Sequence, residues 1–360
     1  MKPTQQLHDL GQSLWLDNIT RGLLKSGTLA RYIDELSITG LTSNPTVFDH
    51  AIKNSNDYDD AIRQKAKEGM VGEDLFFDLA LEDLRQAADL FRPVYDRTGG
   101  NDGWVSLEVS PLLAHDAAGS FREARRLHAC AVRQNLFIKI PGTKEGLIAI
   151  EDSIFYGVPI NVTLLFSRDQ YLAAAEAYMS GVERRIAAGR DPDVGCVASV
   201  FISRWDKAVM GKAPEELRNR LGIAVAQQTY KAYLELRDSE RWQRLIDRGM
   251  RPQRLLWAST GTKDPNASDT LYVNALAAPF TINTMPDATL LAFADHGTLG
   301  EMMPADGGDA EATLAKFAQA GIDHDQLAAD LQRDGAESFV KSWTELLATI
   351  GSEARLKAVG

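Results

Sequence analysis

The segment Asn135-Leu-Phe-Ile-Lys-Ile-Pro-Gly-Thr143 places a lysine inside a run that otherwise has the composition of a fully buried β-strand. Side chains alternate between the two faces of a strand, so Phe137 and Lys139 share one face, opposite the neighbouring isoleucines. In a parallel sheet that is covered on both sides, neither face gives the amine an easy path to water. Desolvation lowers the pKa of a buried lysine from about 10.4 and leaves some neutral amine near pH 7, the form that attacks carbonyl groups. The alternative is a structural lysine whose head reaches solvent at the strand end or pairs with a carboxylate.

Short buried strands alternate with helical patterns along most of the chain. The predicted strands are 14–18, 38–43, 104–109, the segment around Lys139, 159–166, 194–201, 254–259 and 280–285. Such alternation indicates right-handed βαβ units in a parallel sheet, and eight strands indicate a closed barrel. We therefore predict an α/β fold, a (β/α)8 TIM barrel with a helical insertion over 46–98 after the second strand. A helical C-terminal tail is expected over 287–355, and residues 1–360 are expected to form one domain on which this tail packs.

Helix ends are predicted from capping residues. Thr143 is expected to begin a helix that Gly157 ends, and Ser167 with Gln170 has the spacing of a capping box. The same spacing predicts that another helix starts at Ser120. Further helices are expected over residues 23–36, 73–91 and, as two segments, 214–248.

Three charged residues interrupt apolar strands near the ends that converge on the active site of such a barrel: Asp17, Glu108 and Lys139. Buried charges are costly unless they are paired or used, so one interpretation is a structural ion-pair network. The other is Schiff-base chemistry, in which the amine attacks a carbonyl while two carboxylates move protons during imine formation and carbon–carbon cleavage. Other polar residues near predicted strand ends are Asn18, Asn44, Asn161, Thr163, Ser199, Ser259 and Asn283.

Some of these polar residues have ordinary structural explanations as well. Asparagines and Thr163 can bind the hydroxyl groups of a substrate, but an asparagine before a proline, such as Asn44, is also a routine turn residue. Threonine is equally a common strand residue. Both interpretations are therefore kept for these positions.

Two basic residues follow the sixth and seventh strands and predict an anion site. Arg204 comes shortly after Ser199, and Lys263 follows Ser259 in a loop where Gly261 lets the backbone approach a ligand. Loops near the last strands of such barrels commonly bind phosphate, and arginine and lysine supply bidentate and point-charge contacts. The alternative is that either residue is an ordinary surface charge.

The overall composition limits the classes of function. The 360 residues are 44% apolar and 25% charged, and 50 acidic against 39 basic side chains give a net charge of −11. This balance argues against non-specific binding to nucleic acid or to an anionic membrane. The first residues show no apolar segment followed by a small-residue cleavage site, so we expect a cytoplasmic protein. Cys130 and Cys196 lie in apolar patterns without His or Asp at a ligand spacing, so both are expected to be structural.

Four ordered motifs resemble the transaldolases: Leu-Thr-Ser-Asn-Pro-Thr at 41–46, Ser-Leu-Glu-Val-Ser-Pro at 106–111, Ile-Lys-Ile-Pro-Gly-Thr at 138–143 and Asn-Val-Thr-Leu-Leu-Phe-Ser at 161–167. The likeness covers essentially the whole chain, and the length and tail are most similar to the longer bacterial subfamily. The resemblance implies a barrel of the class I aldolase type that uses a Schiff base with neither a cofactor nor a metal. It also implies sugar-phosphate substrates. A dihydroxyacetone unit would pass from sedoheptulose 7-phosphate to glyceraldehyde 3-phosphate in the pentose phosphate pathway, giving erythrose 4-phosphate and fructose 6-phosphate.

Matched position by position, the resemblance assigns imine formation to Lys139 and acid–base catalysis of aldol cleavage to Asp17. Glu108 matches a residue that acts through a water held with Thr163. The substrate-binding positions of the family match Asn44, Asn161, Ser199, Phe201, Arg204 and Ser259, with Arg204 as a phosphate-binding arginine. Many members carry a further arginine shortly after the serine of the seventh strand. This chain has Thr260-Gly-Thr-Lys263 there, so Lys263 is expected to replace that arginine.

Two other functions remain open. A fructose 6-phosphate aldolase would release free dihydroxyacetone, but smaller relatives of that kind resemble transaldolases with an amide at the position of Glu108. A non-catalytic sugar-phosphate binding protein on the same barrel would bind fructose 6-phosphate without forming a covalent adduct. The sequence leaves the oligomeric state open between monomer and homodimer.

Overall fold

The computed structural model describes residues 1–356 as a barrel of strands surrounded by helices. The strands are β1 Ser13–Asp17, β2 Ile38–Thr42, β3 Trp104–Glu108, β4 Leu136–Pro141, β5 Ile160–Leu165, β6 Cys196–Phe201, β7 Arg254–Ala258 and β8 Ile282–Met285. The helices are α1 Pro3–Asp9, α2 Arg21–Lys25, α3 Thr28–Leu36, α4 Pro45–Lys53, α5 Asp59–Lys67, α6 Gly72–Arg97, α7 Ala117–Ala131, α8 Lys144–Tyr156, α9 Arg168–Ala187, α10 Ser203–Val209, α11 Leu221–Arg237, α12 Glu240–Asp247, α13 Leu271–Ala275, α14 Asp287–His296, α15 Ala310–Gln319 and α16 His324–Leu356. Residues 357–360, which the single-domain prediction includes, lie outside the described part.

The strands form a closed barrel in the order β1-β2-β3-β4-β5-β6-β7-β8, and every neighbouring pair is parallel. Pairing of Leu14 in β1 with Asn283 in β8 closes the ring. The predicted (β/α)8 barrel is therefore confirmed, as is the helical insertion after β2, which consists of α4, α5 and α6. Because parallel strands end at the same edge, their C-terminal residues meet on one side of the barrel.

The alternation predicted for β4 determines what faces the barrel interior. Ile138 and Ile140 pack in the large core between the strands and the helices. Phe137 packs instead in a second core, where its ring stacks on Trp104 at 4.0 Å and lies 6.2 Å from Trp15. These rings fill the barrel below Lys139, which shares the inner face of β4.

Gly40 is required by this packing. It pairs with Trp15 across β1 and β2, and a Cβ atom at Gly40 would lie 2.4 Å from Trp15 Cε2. The indole cannot retreat easily, because its Nε1 donates a hydrogen bond to Asp102 Oδ1 at 2.9 Å. We expect Gly40→Ala to lower the free energy of unfolding by about 1–3 kcal/mol, as overpacked cores do. Denaturant titration measures this change.

The matched control for Gly40→Ala is Gly300→Ala. A Cβ atom at Gly300 would meet nothing within 4 Å. The free energy of unfolding of this variant is therefore expected to lie within about 0.5 kcal/mol of that of the wild type. Equal stability of the two variants would mean that the barrel interior has room for the added methyl group.

Several helix predictions are confirmed. Thr143 accepts a hydrogen bond from the backbone N–H of Gly146, and Gly157 ends α8 in the left-handed region at φ 89°. Ser167 and Gln170 form a capping box at the start of α9. Helices α11 and α12 lie within the two segments predicted over 214–248.

Other local predictions are wrong. The helix expected over 23–36 is two helices, because Gly27 adopts a left-handed conformation at φ 72° between α2 and α3. Ser120 does not begin a helix, since Asp116 caps α7 one turn earlier and places Ser120 inside it. Cys130 is exposed on α7 instead of lying in an apolar setting, whereas Cys196 is buried in β6.

The C-terminal tail is helical as predicted and consists of α14, α15 and α16. The last helix, α16, packs against α4, α5 and α6 of the insertion and against β5. Phe339, Trp343 and Leu346 on this helix are buried, while Leu327 is only partly buried. Among residues 1–356, no helix combines the length and apolar character that crossing a bilayer requires.

Candidate active site

A cavity of about 290 Å³ opens where the C-terminal ends of the strands converge. The residues that line it are Asp17, Thr42, Asn44, Thr46, Val47, His50, Lys139, Thr163, Ser199, Phe201, Arg204, Ala258, Ser259, Lys263, Thr284, Pro286 and Phe339. All but two of the site residues predicted from the sequence are in this wall. The exceptions are Glu108 and Asn161, and both contact residues of the wall. Asn18 and Asn283, also predicted at strand ends, do not line it.

Lys139 and Glu108 form a buried ion pair. The register of β3 and β4 places the two residues side by side, and Lys139 Nζ lies 3.1 Å from Glu108 Oε2. The amine also donates a hydrogen bond to the backbone oxygen of Ser43 at 2.9 Å. Only 5% of the lysine side chain and 4% of the glutamate side chain are exposed. The amine is therefore fixed at the cavity beside a carboxylate that can take its proton.

Asp17 supplies the second carboxylate. It ends β1, and its Oδ1 accepts a hydrogen bond of 2.7 Å from Thr42 Oγ1. Burial raises the pKa of Asp17 above its usual value of 3.8, although the charge of Lys139 and the bond from Thr42 oppose the shift. A carboxylate with a raised pKa is a stronger base, so Asp17 is suited to accept and return a proton.

Two buried oxygens of the site residues lack hydrogen-bond partners among residues 1–356: Glu108 Oε2 and Thr163 Oγ1. The glutamate oxygen meets Lys139 at ion-pair distance but without hydrogen-bond geometry. Burial raises the pKa of Glu108, and the positive charge of Lys139 opposes that shift. Since buried polar atoms are normally paired with protein or ordered water, both oxygens are able to bind a water or a substrate hydroxyl.

The two predicted asparagines occupy different positions. Asn44 caps α4 by accepting a hydrogen bond from the backbone N–H of Val47 at 3.1 Å, and it also lines the cavity. Asn161 lies behind the wall, where its Nδ2 donates to Ser106 Oγ at 3.2 Å and its Oδ1 accepts from Ser199 Oγ at 2.7 Å. Asn161 thus holds the hydroxyl of Ser199, which does line the cavity.

Arg204 and Lys263 make one side of the cavity positive. Neither side chain forms an ion pair with a carboxylate in the described part of the chain. Burial lowers the pKa of Arg204, whose guanidinium nevertheless stays charged. Burial, together with repulsion from Lys207 and Arg204, lowers the pKa of Lys263. Two like charges held together without a counter-ion favour binding of an anion.

The remaining predicted residues lie beside these cations. The ring of Phe201 is 4.9 Å from the guanidinium carbon of Arg204. Ser259 adopts a left-handed conformation at φ 55°, and its hydroxyl hydrogen-bonds the hydroxyl of Ser203 at 2.9 Å. Left-handed backbone is unfavourable for serine and is typical of sites where the chain positions a ligand group.

Sequence reasoning missed part of the wall. Thr42 and Thr284 share a hydrogen bond of 2.7 Å. Both stand near strand ends, so their position in the sequence, like that of Thr163, was a usable signal. His50 lies on α4, one turn beyond Thr46, and the helical pattern alone gave no reason to select it. Phe339 comes from α16, far from every strand in sequence, so no local signal pointed to it.

Comparison with known proteins agrees with this geometry. The family described as Transaldolase/Fructose-6-phosphate aldolase matches residues 14–350. A transaldolase of Parafrankia sp. (strain EAN1pec) is 44% identical over 358 residues, which cover 97% of each chain. A transaldolase of Thiobacillus denitrificans is 44% identical over 359 residues, which cover 98% of this chain and all of that protein. One of Thermobifida fusca is 44% identical over 98% of both chains. The chain therefore belongs to the transaldolase/fructose-6-phosphate aldolase family, which confirms the resemblance found in its motifs.

Proposed function

We propose that this protein is a transaldolase that moves a dihydroxyacetone unit from sedoheptulose 7-phosphate to glyceraldehyde 3-phosphate through a Schiff base on Lys139. The observation that carries the proposal is the buried amine 3.1 Å from Glu108 at a cavity that Asp17 also lines. The reaction needs a nucleophile, two carboxylates and a binding site for phosphate. Here one carboxylate lines the cavity, the other lies beside the nucleophile, and two cations without carboxylate partners among the described residues lie in the cavity wall. The names of the relatives support the same reaction.

In the first step Glu108 takes a proton from the Lys139 ammonium, and the resulting neutral amine attacks the C2 carbonyl of the donor sugar and gives a carbinolamine. Glu108 then gives this proton to the departing hydroxyl, which leaves as water and gives the protonated imine. We assign to Thr163 the role of holding the water through which this proton moves, because its hydroxyl and Glu108 Oε2 are both buried without a hydrogen-bond partner in the described part of the chain, and Thr163 lines the same cavity as Lys139.

In the second step Asp17 accepts the proton of the C4 hydroxyl. The C3–C4 bond then breaks, its electron pair passes into the imine to form an enamine, and the aldehyde fragment leaves. The acceptor aldehyde forms a new bond to the enamine carbon, and Asp17 returns its proton to the new hydroxyl. Addition of water to the imine releases the product ketose and restores Lys139. The raised pKa of Asp17 suits a group that must both take and give this proton.

We assign the phosphate groups of donor and acceptor to Arg204 and Lys263, and the sugar hydroxyls to Asn44, Ser199 and Ser259. Phe201 and Asn161 then hold two of these side chains in position. The ring of Phe201 lies beside the guanidinium of Arg204, and Asn161 accepts a hydrogen bond from the hydroxyl of Ser199. The unpaired charges support this assignment, since a phosphate would relieve the repulsion between the two cations.

Arg204→Ala is expected to raise the KM for fructose 6-phosphate by about 10- to 100-fold, because a charge-assisted bond to phosphate contributes about 1.5–3 kcal/mol. Binding of free dihydroxyacetone, which has no phosphate, should change far less. Steady-state kinetics and inhibition by dihydroxyacetone measure the two effects. Arg248→Ala removes an exposed arginine directly after α12, outside the lining of the cavity, and is the control. Equal losses for both compounds would remove the phosphate role of Arg204.

The experiment that tests the proposed function supplies sedoheptulose 7-phosphate with and without glyceraldehyde 3-phosphate. A transaldolase forms fructose 6-phosphate and erythrose 4-phosphate only when both are present. In a parallel reaction, fructose 6-phosphate alone should release dihydroxyacetone far more slowly than transfer occurs. Release at a comparable rate without an acceptor would make the protein an aldolase instead.

We infer that residues 1–360 act as a single domain in the cytoplasm, with sugar phosphates as substrates and neither nucleic acid nor a membrane as a partner. The packing of α16 on the insertion and on β5 supports the single domain, and the net charge of −11 supports the absence of polyanionic partners.

A further inference from the structure

The helix α16 presents three residues to the mouth of the barrel: Gln332, Gly335 and Phe339. Their spacing of three and four positions places them on one face of the helix. We refer to these three residues as the α16 strip. Each contacts a residue at the C-terminal end of the barrel, although α16 lies more than thirty residues beyond the last strand.

Gln332 fixes the helix to two strand ends. Its Nε2 donates hydrogen bonds to the backbone oxygens of Gly142 and Leu164, both at 3.0 Å. Leu164 has a left-handed backbone at φ 57°, where the register between β5 and β6 shifts. A bulge of this kind turns the following residues and is common beside active sites. The strip is therefore anchored to the irregular backbone directly after Thr163.

Gly335 lets the helix approach Arg204. A Cβ atom at Gly335 would lie 3.0 Å from Leu164 Cδ2 and 3.2 Å from Arg204 Nη1. Both distances are tighter than ordinary van der Waals contact, so a larger residue would displace the guanidinium or the helix.

Phe339 completes the surroundings of the guanidinium. Its ring lines the cavity and lies 5.7 Å from the guanidinium carbon of Arg204, while the ring of Phe201 lies 4.9 Å from the same atom. Both distances are within the range of cation–π attraction. Aromatic rings hold a cation without neutralising it, whereas a carboxylate would compete with an anionic ligand. Arg204 is thus oriented while its charge and its N–H donors stay available.

We propose that the α16 strip determines specificity for phosphorylated sugars by positioning Arg204. The proposal rests on the function proposed above and adds positioning residues to it: Gln332 anchors the helix, Gly335 sets its distance, and Phe339 orients the guanidinium with Phe201. A displaced guanidinium would lose bidentate geometry toward phosphate, which depends on both distance and plane.

The test compares fructose 6-phosphate with unphosphorylated fructose as donors, each with D-glyceraldehyde as the acceptor. The donor phosphate is then the only difference between the two reactions. In Gly335→Ala the ratio of kcat/KM for fructose 6-phosphate to that for fructose is expected to fall about tenfold. Gly351→Ala is the matched control, since it makes the same change on the same helix where a Cβ atom meets nothing within 4 Å. Its ratio should equal that of the wild type.

A second pair of variants tests the ring. Phe339→Leu is expected to lower the ratio of kcat/KM for fructose 6-phosphate to that for fructose. Phe339→Tyr is expected to keep the wild-type ratio, because it retains the aromatic face. A purely structural role of Phe339 would lower turnover of both donors alike. An unchanged ratio in Gly335→Ala with a wild-type melting temperature, or equal losses for both donors, would overturn the proposal.

Calorimetric titration with fructose 6-phosphate measures binding without turnover, so it tests the role of the α16 strip independently of the transaldolase activity. Absence of turnover in the wild type would refute the transaldolase assignment alone. Weaker binding to Gly335→Ala than to Gly351→Ala would still support the role of the strip, and equal binding to both would overturn it.

Discussion

Lys139→Met is expected to abolish transfer, with kcat reduced by about 10⁴-fold or more, because the proposed imine forms on the amine that this change removes. Methionine retains an unbranched stem of similar length in a site where only 5% of the lysine side chain is exposed. Removing the ammonium leaves Glu108 buried without its partner, which is costly for a charged carboxylate. The pKa of Glu108 is already raised by burial, so the group can become neutral in this variant and lower that cost. Rates of fructose 6-phosphate formation measure the loss.

The control for this experiment is the double variant Lys139→Met with Glu108→Gln, in which the buried pair is neutral. Its melting temperature should equal or exceed that of Lys139→Met, while its activity should remain absent. This pair of variants separates loss of the nucleophile from loss of the fold. Substantial turnover by a folded Lys139→Met protein would contradict the mechanism.

Asp17→Asn is expected to form the imine but not to break the C3–C4 bond, since the amide cannot accept the proton of the C4 hydroxyl. We expect kcat to fall by about 10²- to 10⁴-fold, the usual contribution of a positioned acid–base group. Reduction with borohydride distinguishes the two steps by mass. The wild type should retain a three-carbon dihydroxyacetone unit from fructose 6-phosphate, whereas the variant should retain the whole six-carbon sugar phosphate. A three-carbon adduct in Asp17→Asn would show that another residue performs the cleavage.

The raised pKa of Asp17 also predicts a pH dependence. The carboxylate must be ionised to accept a proton, so kcat should fall as the pH drops through a value above the usual 3.8. The same shift means that the folded protein holds this proton more tightly than the unfolded chain, so the contribution of Asp17 to stability decreases as the pH rises. Asp17→Asn should therefore melt at the same or a higher temperature than the wild type at neutral pH. A lower melting temperature of Asp17→Asn than of the wild type would contradict a raised pKa of Asp17.

The barrel was predictable because its strands are short apolar segments bounded by polar or turn residues, and because eight of them alternate with helices. Local signals failed where two of them competed. Ser120 has a capping-box spacing, but Asp116 caps the helix first. The break between α2 and α3 depends on the left-handed backbone of Gly27, and the periodic apolar pattern passes across it.

The centre of the site was predictable for a different reason. Charges inside apolar strands are rare because burial is costly, so Asp17, Glu108 and Lys139 stood out in the sequence. The direction in which a polar group turns was not predictable, as Asn161 shows by bonding Ser106 and Ser199 behind the wall. The contribution of Phe339 depends on how the tail folds back over the barrel, which no local pattern determines.

Lys139 is expected to carry the covalent intermediate of the reaction. The most direct test is borohydride reduction in the presence of fructose 6-phosphate, followed by mass mapping of the peptides. We expect one three-carbon unit on the peptide that contains Lys139, and no modification of that peptide in Lys139→Met. A folded protein that binds the sugar but carries no adduct, or an adduct on a different lysine, would contradict the role of Lys139 as the nucleophile.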